Sequence, residues 1–336
     1  PEGGDPGERP LVKAAVVDRY GPPDIVRIED VPEPTPGAGE VRVRVHATTV
    51  SRTDVANLRG HPRFARLATG LFGPKRPVFG LDVAGVVDAV GEGVDRFAAG
   101  DRVFGIAPGG VGGHAEALCM PADGAVAPLP DAVAFTEAVV GEGVWYAKSA
   151  LDRLGVDAGH RLMVYGASGA IGVAAVQLAK ARGAEVIAVV DTQRLDLARS
   201  LGADRVVDYT AEDYADAARD LDFVFDAVGK ADFLRARALL KPEGAFSATD
   251  FGPRGGNLWH ILRSPLMRSN RFVFPLPTEP AAAVELAADL LRRGELHAVV
   301  DRVVPFAQIV DAYRYVETGT KVGVVVMEMV EDVSTR

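Results

Sequence analysis

Cysteine is almost absent from this sequence: Cys119 stands alone among 336 residues, so no internal disulfide can form, and a reducing, cytoplasmic setting is expected. Positive charge is also in deficit. The 37 Lys and Arg face 46 Asp and Glu, and the resulting −9 argues against nucleic acid or an anionic membrane as the main partner. Although 48% of the residues are hydrophobic, no apolar run approaches the ~20 residues that span a bilayer, so a soluble protein is expected. The opening PEGGDPGERP has neither a basic n-region nor an apolar h-region, and residues 1–10 read as a flexible arm, not a signal peptide. Metal ligands are sparse as well. One cysteine and six scattered histidines make a poor zinc set, and a structural site of four cysteines is excluded.

What is present divides into two patterns, as a chain of this length predicts. From Leu11 to about Pro130, short apolar alternations are broken by Gly, Pro and Asp. In EVRVRVHATTV, Val41, Val43 and Val45 alternate with Arg42, Arg44 and His46, which predicts antiparallel strands with one face in a core and the other in water. After Phe135 the period changes. RLMVYGASG, EVIAVVD, DRVVDY, DLDFVFDAVG and GAFSATDFG read as strands, with helices predicted over AIGVAAVQLAKARGA, TQRLDLARSLGA and ADFLRARALLKPEG. Strands alternating with helices imply right-handed crossovers and a doubly wound parallel sheet of Rossmann type, an α/β fold. Beyond Thr278 come a helix, a strand, another helix and the closing strand KVGVVVMEM.

The second pattern contains VYGASGAIGVAAVQLAK. Gly166 permits a tight turn out of a strand, Gly169 lets backbone approach a pyrophosphate, and Gly172 lets helix pack closely on strand. The amides of Ser168, Gly169, Ala170, Ile171 and Gly172 would then meet phosphates at a helix N-terminus, where the dipole favours negative charge. A purely structural turn is the alternative. Asp191 lies roughly twenty residues further on, where an acid accepts from the adenosine ribose and repels a 2′-phosphate. Arg194 has the opposite tendency, as a partner for that phosphate, or is simply a solvated helix arginine. The cofactor therefore reads as NADP(H) or NAD(H), with the preference open.

These residues also carry a family likeness. GASGAIGVAAVQLAKARGAEVIAVV, RSLGADRVVDY, FDAVG, GLDVAGVVDAVGEGVDRFAAGDRVFG and YVETGTKVG, in that set, resemble the medium-chain dehydrogenase/reductase superfamily, closest to its zinc-free, quinone-oxidoreductase-like branch. The resemblance implies a GroES-like β-barrel catalytic domain from residues 11–130 and 278–336, with a Rossmann nucleotide-binding domain, 131–277, inserted in it. It further implies a substrate cleft at their junction and a homodimer through the Rossmann sheet edge. Zinc-bearing relatives place Cys near Ser51 and a His-Glu pair at Leu81 and Asp82, so no zinc is expected, and His114 stands where relatives often have Tyr. Tyr209 matches a tyrosine of the adenosine pocket. Val228, Gly229, Phe251 and Lys321 complete the implied cofactor contacts, Lys321 covering for the lysine that relatives carry at Val324.

The chemistry reads less directly. Ser51 stands where quinone reductases commonly carry Asn and is positioned to hydrogen-bond a carbonyl, while Asp54 either takes part or braces the loop. Such a donor stabilises the enolate oxygen left by hydride addition. The tyrosine acid of related enoyl reductases is missing, because Gly60 is followed by His61 and Pro62. In VVGEGVWYAKSAL, Trp145 stands at a position where relatives have Thr, and Tyr146 offers a replacement phenol or packs in the core. Glu142 on the same segment is a second acid candidate or an exposed cap. His61, Phe64 and Trp145 are candidate substrate-pocket residues, and RGHPRFARLATGLFGPKR reads as an entry for an anionic or carrier-bound substrate or as a solvated lid. With NLWHILRSPLMRSNRF as an opposite wall, a bulky apolar small molecule is expected. Three functions fit: an NAD(P)H oxidoreductase acting on a quinone or activated C=C bond, a non-redox cyclase or isomerase on the same scaffold, and a non-catalytic dinucleotide sensor.

Overall fold

Alternation along β3 (Glu40–Val50) puts Val41, Val43 and Val45 entirely out of solvent, as a period of two requires of a strand with one face in a core. The computed structural model describes residues 10–250 and 271–329. Contacts divide the chain into two units, Pro1–Gly141 with Val284–Ala288 and Val300–Arg336 in one, Glu142–Ala283 with Asp289–Val299 in the other.

In the first unit, β1 (Leu11–Val16) and β2 (Arg27–Pro32) form an antiparallel pair. A seven-stranded sheet then gathers β3, β4 (Asp82–Val90), β5 (Arg102–Ile106), β6 (Ala117–Pro121), β7 (Val126–Pro128) and two late strands. The polar face of β3 does not simply meet water. Arg42 donates to Glu33 and Asp88, each at 2.7 Å, and Arg44 donates to the same two carboxylates at 2.5 and 2.9 Å. These four side chains are mostly shielded, and half-buried charge persists only when it is paired. Inside the sheet, the valines pack with Leu58, Phe79, Met120, Tyr313 and Met327.

The second unit holds β8 (Arg161–Tyr165), β9 (Glu185–Val190), β10 (Arg205–Asp208), β11 (Leu221–Asp226), β12 (Leu240–Ala248) and β13 (Arg271–Val273). All pairings are parallel, in the order β10-β9-β8-β11-β12-β13. The winding reverses between β8 and β11, the position where doubly wound sheets open a crevice at the strand ends. Two helices are shorter than the sequence pattern predicts. Asp191 caps a 3-10 turn at Thr192–Arg194, so the regular helix starts at Leu195 and ends at Ser200. Likewise the helix after Asp232 covers only Phe233–Arg237, because Leu240 already pairs with Leu221.

The chain then returns to the first sheet with β14 (Val300–Pro305) and β15 (Val324–Glu328), β15 lying antiparallel to β3. No helix among the described residues is long and apolar enough to cross a membrane.

Candidate active site

Strand β8 ends in the glycine turn, and each glycine there has a different reason to lack a side chain. Gly166 has φ +77°, and a Cβ on it would stand 2.6 Å from a methyl of Val228. At Gly172 a Cβ would meet the Gly166 carbonyl oxygen at 2.2 Å. Gly169 differs: the nearest atoms to its Cβ position are the Gly166 carbonyl oxygen at 3.8 Å and a Val228 methyl at 3.9 Å, ordinary van der Waals contacts that packing alone would allow a methyl to make. The helix Ala170–Ala181 follows, with no side-chain cap and no acid in its first turn. Its first intrahelical bond runs from the Val173 amide to Gly169 O at 2.8 Å, which leaves the amides of Ala170, Ile171 and Gly172 ahead of the ladder. Ser168 is half-buried beside them.

The neighbouring loop is built by a carboxylate that the sequence motifs do not single out. Asp226, at the end of β11, accepts the amides of Val228 at 3.1 Å, Gly229 at 2.9 Å and Ala231 at 2.7 Å. Burial pushes its acid up to about 6, against the pull of those three amides toward the anion. Gly229, at φ +70°, lets the chain pass Asp250, whose Cβ would lie 2.4 Å from an added Cβ. Asp226 thus sets the loop that lays Val228 over Gly166. The only legible trace of this is the Asp ahead of the glycine in FDAVG.

Beyond β9, Asp191 accepts the Gln193 amide at 3.1 Å and pairs with the Arg194 guanidinium. The two residues that favour opposite cofactors by sequence are therefore partners. Tyr209 is about half exposed and stacks on Tyr165 with ring centres 6.1 Å apart, while Tyr165 meets Tyr214 edge-on at 5.0 Å. Burial pushes the Tyr165 phenol up to about 12, so it stays neutral.

The helix Gly141–Leu154 presses its first turn on this region. A Cβ at Gly143 would meet the Ala170 carbonyl oxygen at 2.7 Å, so this glycine admits the close approach, a role the sequence reading does not assign. Trp145 donates its indole N–H to Thr278 O at 2.9 Å, and Ser149, one turn on, receives the Thr278 amide at 3.4 Å. The indole is thus committed to the 278 segment. Tyr146 is half-buried, its ring 5.8 Å from that of Trp145, and Glu142 is buried, not an exposed cap.

In the other unit, Ser51 and Asp54 form a reciprocal cap on the helix Arg52–Arg59. The Ser51 hydroxyl accepts the Asp54 amide at 3.1 Å, leaving its own proton to donate. Asp54 is fully buried, and its carboxylate accepts the amides of Ser51 at 2.9 Å and Gly80 at 3.1 Å. His114 is buried nearby. Its Nε2 lies 2.8 Å from Thr49 O, which only accepts, so Nε2 carries the proton and Nδ1 accepts from the Tyr313 hydroxyl at 3.3 Å. Asp82 accepts the Thr49 hydroxyl at 3.0 Å. His61 lines a cavity with Tyr20, Asn57 and Lys75, whereas Phe64 is strongly exposed. Lys321 donates to Gly323 O. Phe251 and most of NLWHILRSPLMRSNRF lie outside the described residues.

Residues 37–131 match the alcohol dehydrogenase GroES-like domain family, and residues 201–327 match the zinc-binding dehydrogenase family. A zinc-type alcohol dehydrogenase-like protein of Schizosaccharomyces pombe is 31% identical over 94% of this chain and 96% of its own. A 2-haloacrylate reductase of a Burkholderia species is 26% identical over 94% of this chain and 99% of its own. In fold, the chain is similar to the quinone oxidoreductase from Coxiella burnetii, with a TM-score of 0.83, 24% identity, and coverage of 96% of this chain and 100% of that one. Two dehydrogenase domains in order along the chain, with a relative matched over nearly its whole length, show that the protein belongs to the medium-chain dehydrogenase/reductase superfamily.

Proposed function

We propose that the protein is an NAD(P)H-dependent reductase of carbon–carbon double bonds conjugated to a carbonyl, quinones included, since a quinone is such an acceptor twice over. The observation that carries this reading is the uncapped helix start after β8, cleared by glycines at the point where the winding reverses. A full-length relative named for reducing an acrylate adds support. When bound, the nicotinamide supplies the hydride. Amides of Ala170, Ile171 and Gly172 would hold its diphosphate, and Asp226 keeps Val228 and Gly229 in place beside the turn. Hydride arriving at the β carbon leaves charge on the substrate oxygen, to which the Ser51 hydroxyl donates. Asp54 acts as a positioning residue through the Ser51 loop, and Tyr146 is our candidate for the proton delivered to the α carbon. Consumption of NADPH or NADH, followed at 340 nm with 1,4-benzoquinone and trans-2-hexenal, tests the reading. No oxidation with any of a broad panel of such acceptors, by protein that binds dinucleotide, would sink it.

Cofactor choice rests in our reading on the Asp191–Arg194 pair. With the guanidinium neutralising the carboxylate, both dinucleotides are accepted, and a 2′-phosphate competes with Asp191 for Arg194. Asp191→Ser should raise the ratio of kcat/KM for NADPH over NADH roughly tenfold, and Arg194→Ala should lower it by a similar factor. Ratios unchanged in both variants would remove the pair from this role.

We also infer catalysis without zinc, despite the name of the matched family. Both ring nitrogens of His114 are engaged, Ser51 offers a hydroxyl, and burial pushes the Cys119 thiol up to about 11, far from the thiolate a metal needs. Among the described residues, no three His, Cys, Asp or Glu side chains are grouped to hold a metal ion. A cytoplasmic homodimer, paired along the β13 end of the parallel sheet and acting on a bulky substrate, completes the reading.

A further inference from the structure

Between Asp54 and Asp82 the chain has no carboxylate, yet it carries Arg59, Arg63, Arg66, Lys75 and Arg76 in a protein whose acids outnumber its bases. This stretch folds around a cavity of about 280 Å³ within the GroES-like unit. Phe79, Val111 and Tyr20 make its walls apolar, Lys75 and Arg76 make them cationic, and among the described residues no acid lines it.

The cations have different duties. Arg59 is paired with Glu317 at 2.6 Å. Arg66 donates to the carbonyls of Gly60 at 2.9 Å and Arg59 at 3.0 Å and covers the Tyr20 ring at 4.6 Å, so it closes a wall. Arg76 is anchored by Pro108 O at 2.6 Å, and Gly109, at φ +69°, keeps room for it, since a Cβ there would come within 3.0 Å of its Nη1. Lys75 is held by its backbone, through its amide on Thr69 O at 2.8 Å, while its ammonium makes no hydrogen bond or ion pair with any described residue. Lys75 and Arg76 are both exposed, so water solvates their charges; a ligand that covers the apolar walls strips part of that water, and an anion carried on an apolar body replaces it where a neutral ligand does not. Phe64, Leu67, Leu71 and Phe72 are exposed on the same stretch, ready to cover a chain longer than the cavity holds.

We infer that this cavity binds a carboxylate or phosphate group attached to an apolar body, with Lys75 as the ion-pairing residue and Arg76 as the fixed second donor. The substrate class is then an anionic amphiphile, an unsaturated acid or an acyl group on a phosphate-bearing carrier. As a statement of substrate class this rests on the reductase reading; as a statement of binding it does not.

Isothermal titration of the full chain with octanoate, octyl phosphate and octanol tests it. Both anions should bind roughly tenfold more tightly than octanol at about 20 mM salt, and the gap should narrow roughly threefold at about 300 mM. Lys75→Gln should close the gap, and Lys75→Arg should keep it. A preference for octyl phosphate points to a phosphorylated carrier and a preference for octanoate to a free acid, and both support the inference. Octanol binding as well as the anions, or a gap untouched by Lys75→Gln, would overturn it. NAD(P)H oxidation by the same preparation with a panel of neutral and anionic quinones and enones separates the two readings: turnover without anion preference in binding sinks only the cavity, and anion preference in binding without turnover of any acceptor sinks only the reductase.

Discussion

Alanine at Gly172 should cost the protein about 3 kcal/mol of stability and weaken dinucleotide binding roughly a hundredfold, whereas alanine at Gly169 should weaken binding alone. The difference lies in what each methyl meets. At Gly172 it would strike the Gly166 carbonyl oxygen at 2.2 Å and the Ala167 Cα at 2.7 Å, both backbone atoms that no rotamer change can move. Turn and helix would have to separate, and the diphosphate amides would go with them. At Gly169, by contrast, φ is −81° and nothing lies closer than 3.8 Å, so the apo fold accepts the methyl within about 1 kcal/mol. The same methyl stands where a diphosphate would approach, and a loss of roughly tenfold or more in affinity is expected. Urea denaturation paired with titration of NADPH and NADH reads both quantities. Gly169→Ala that binds dinucleotide as well as the parent would mean the turn is shaped for packing and not for phosphate.

Removing the Asp54 carboxylate should be similarly severe. In Asp54→Ala the amides of Ser51 and Gly80 lose their acceptors in a fully buried site, at about 1–3 kcal/mol for each, and the reciprocal cap on the helix Arg52–Arg59 is broken. A total near 4 kcal/mol is expected. Asp54→Asn keeps one acceptor oxygen but turns an amide N–H₂ toward a backbone donor, so its cost should fall near half of that. Because Asp54 positions Ser51, the asparagine variant should lower kcat more than it raises KM. Thermal and urea unfolding check the first part and steady-state kinetics the second. An alanine variant within 1 kcal/mol of the parent would show that water or a loop shift replaces the carboxylate.

Some of this site was legible as a string of letters. The spacing of Gly166, Gly169 and Gly172 between a strand pattern and a helix pattern reports a backbone that must be bare, and the doubly wound order of the six parallel strands agrees with that reading. Ser51 followed by Asp54 spells out a cap. Gly80, the third member of that arrangement, is far away in sequence and could not be paired with it. Arg42 and Arg44 read as a wet face, yet Glu33 and Asp88 enclose them, because alternation reports which face a side chain takes and not what else arrives there.

The order of strands and helices, the bare turn and the shortage of metal ligands were determined by the sequence alone, since propensity, periodicity and residue chemistry act locally along the chain. Only the tertiary structure decided that Asp226 gathers three amides, that Arg194 is Asp191's partner, that Trp145 holds Thr278, and that Arg59 is spent on Glu317 and Arg66 on backbone carbonyls while Lys75 and Arg76 line a cavity. A charge acquires its role from whatever stands within a few ångströms of it, and those neighbours come from parts of the chain that no local pattern connects.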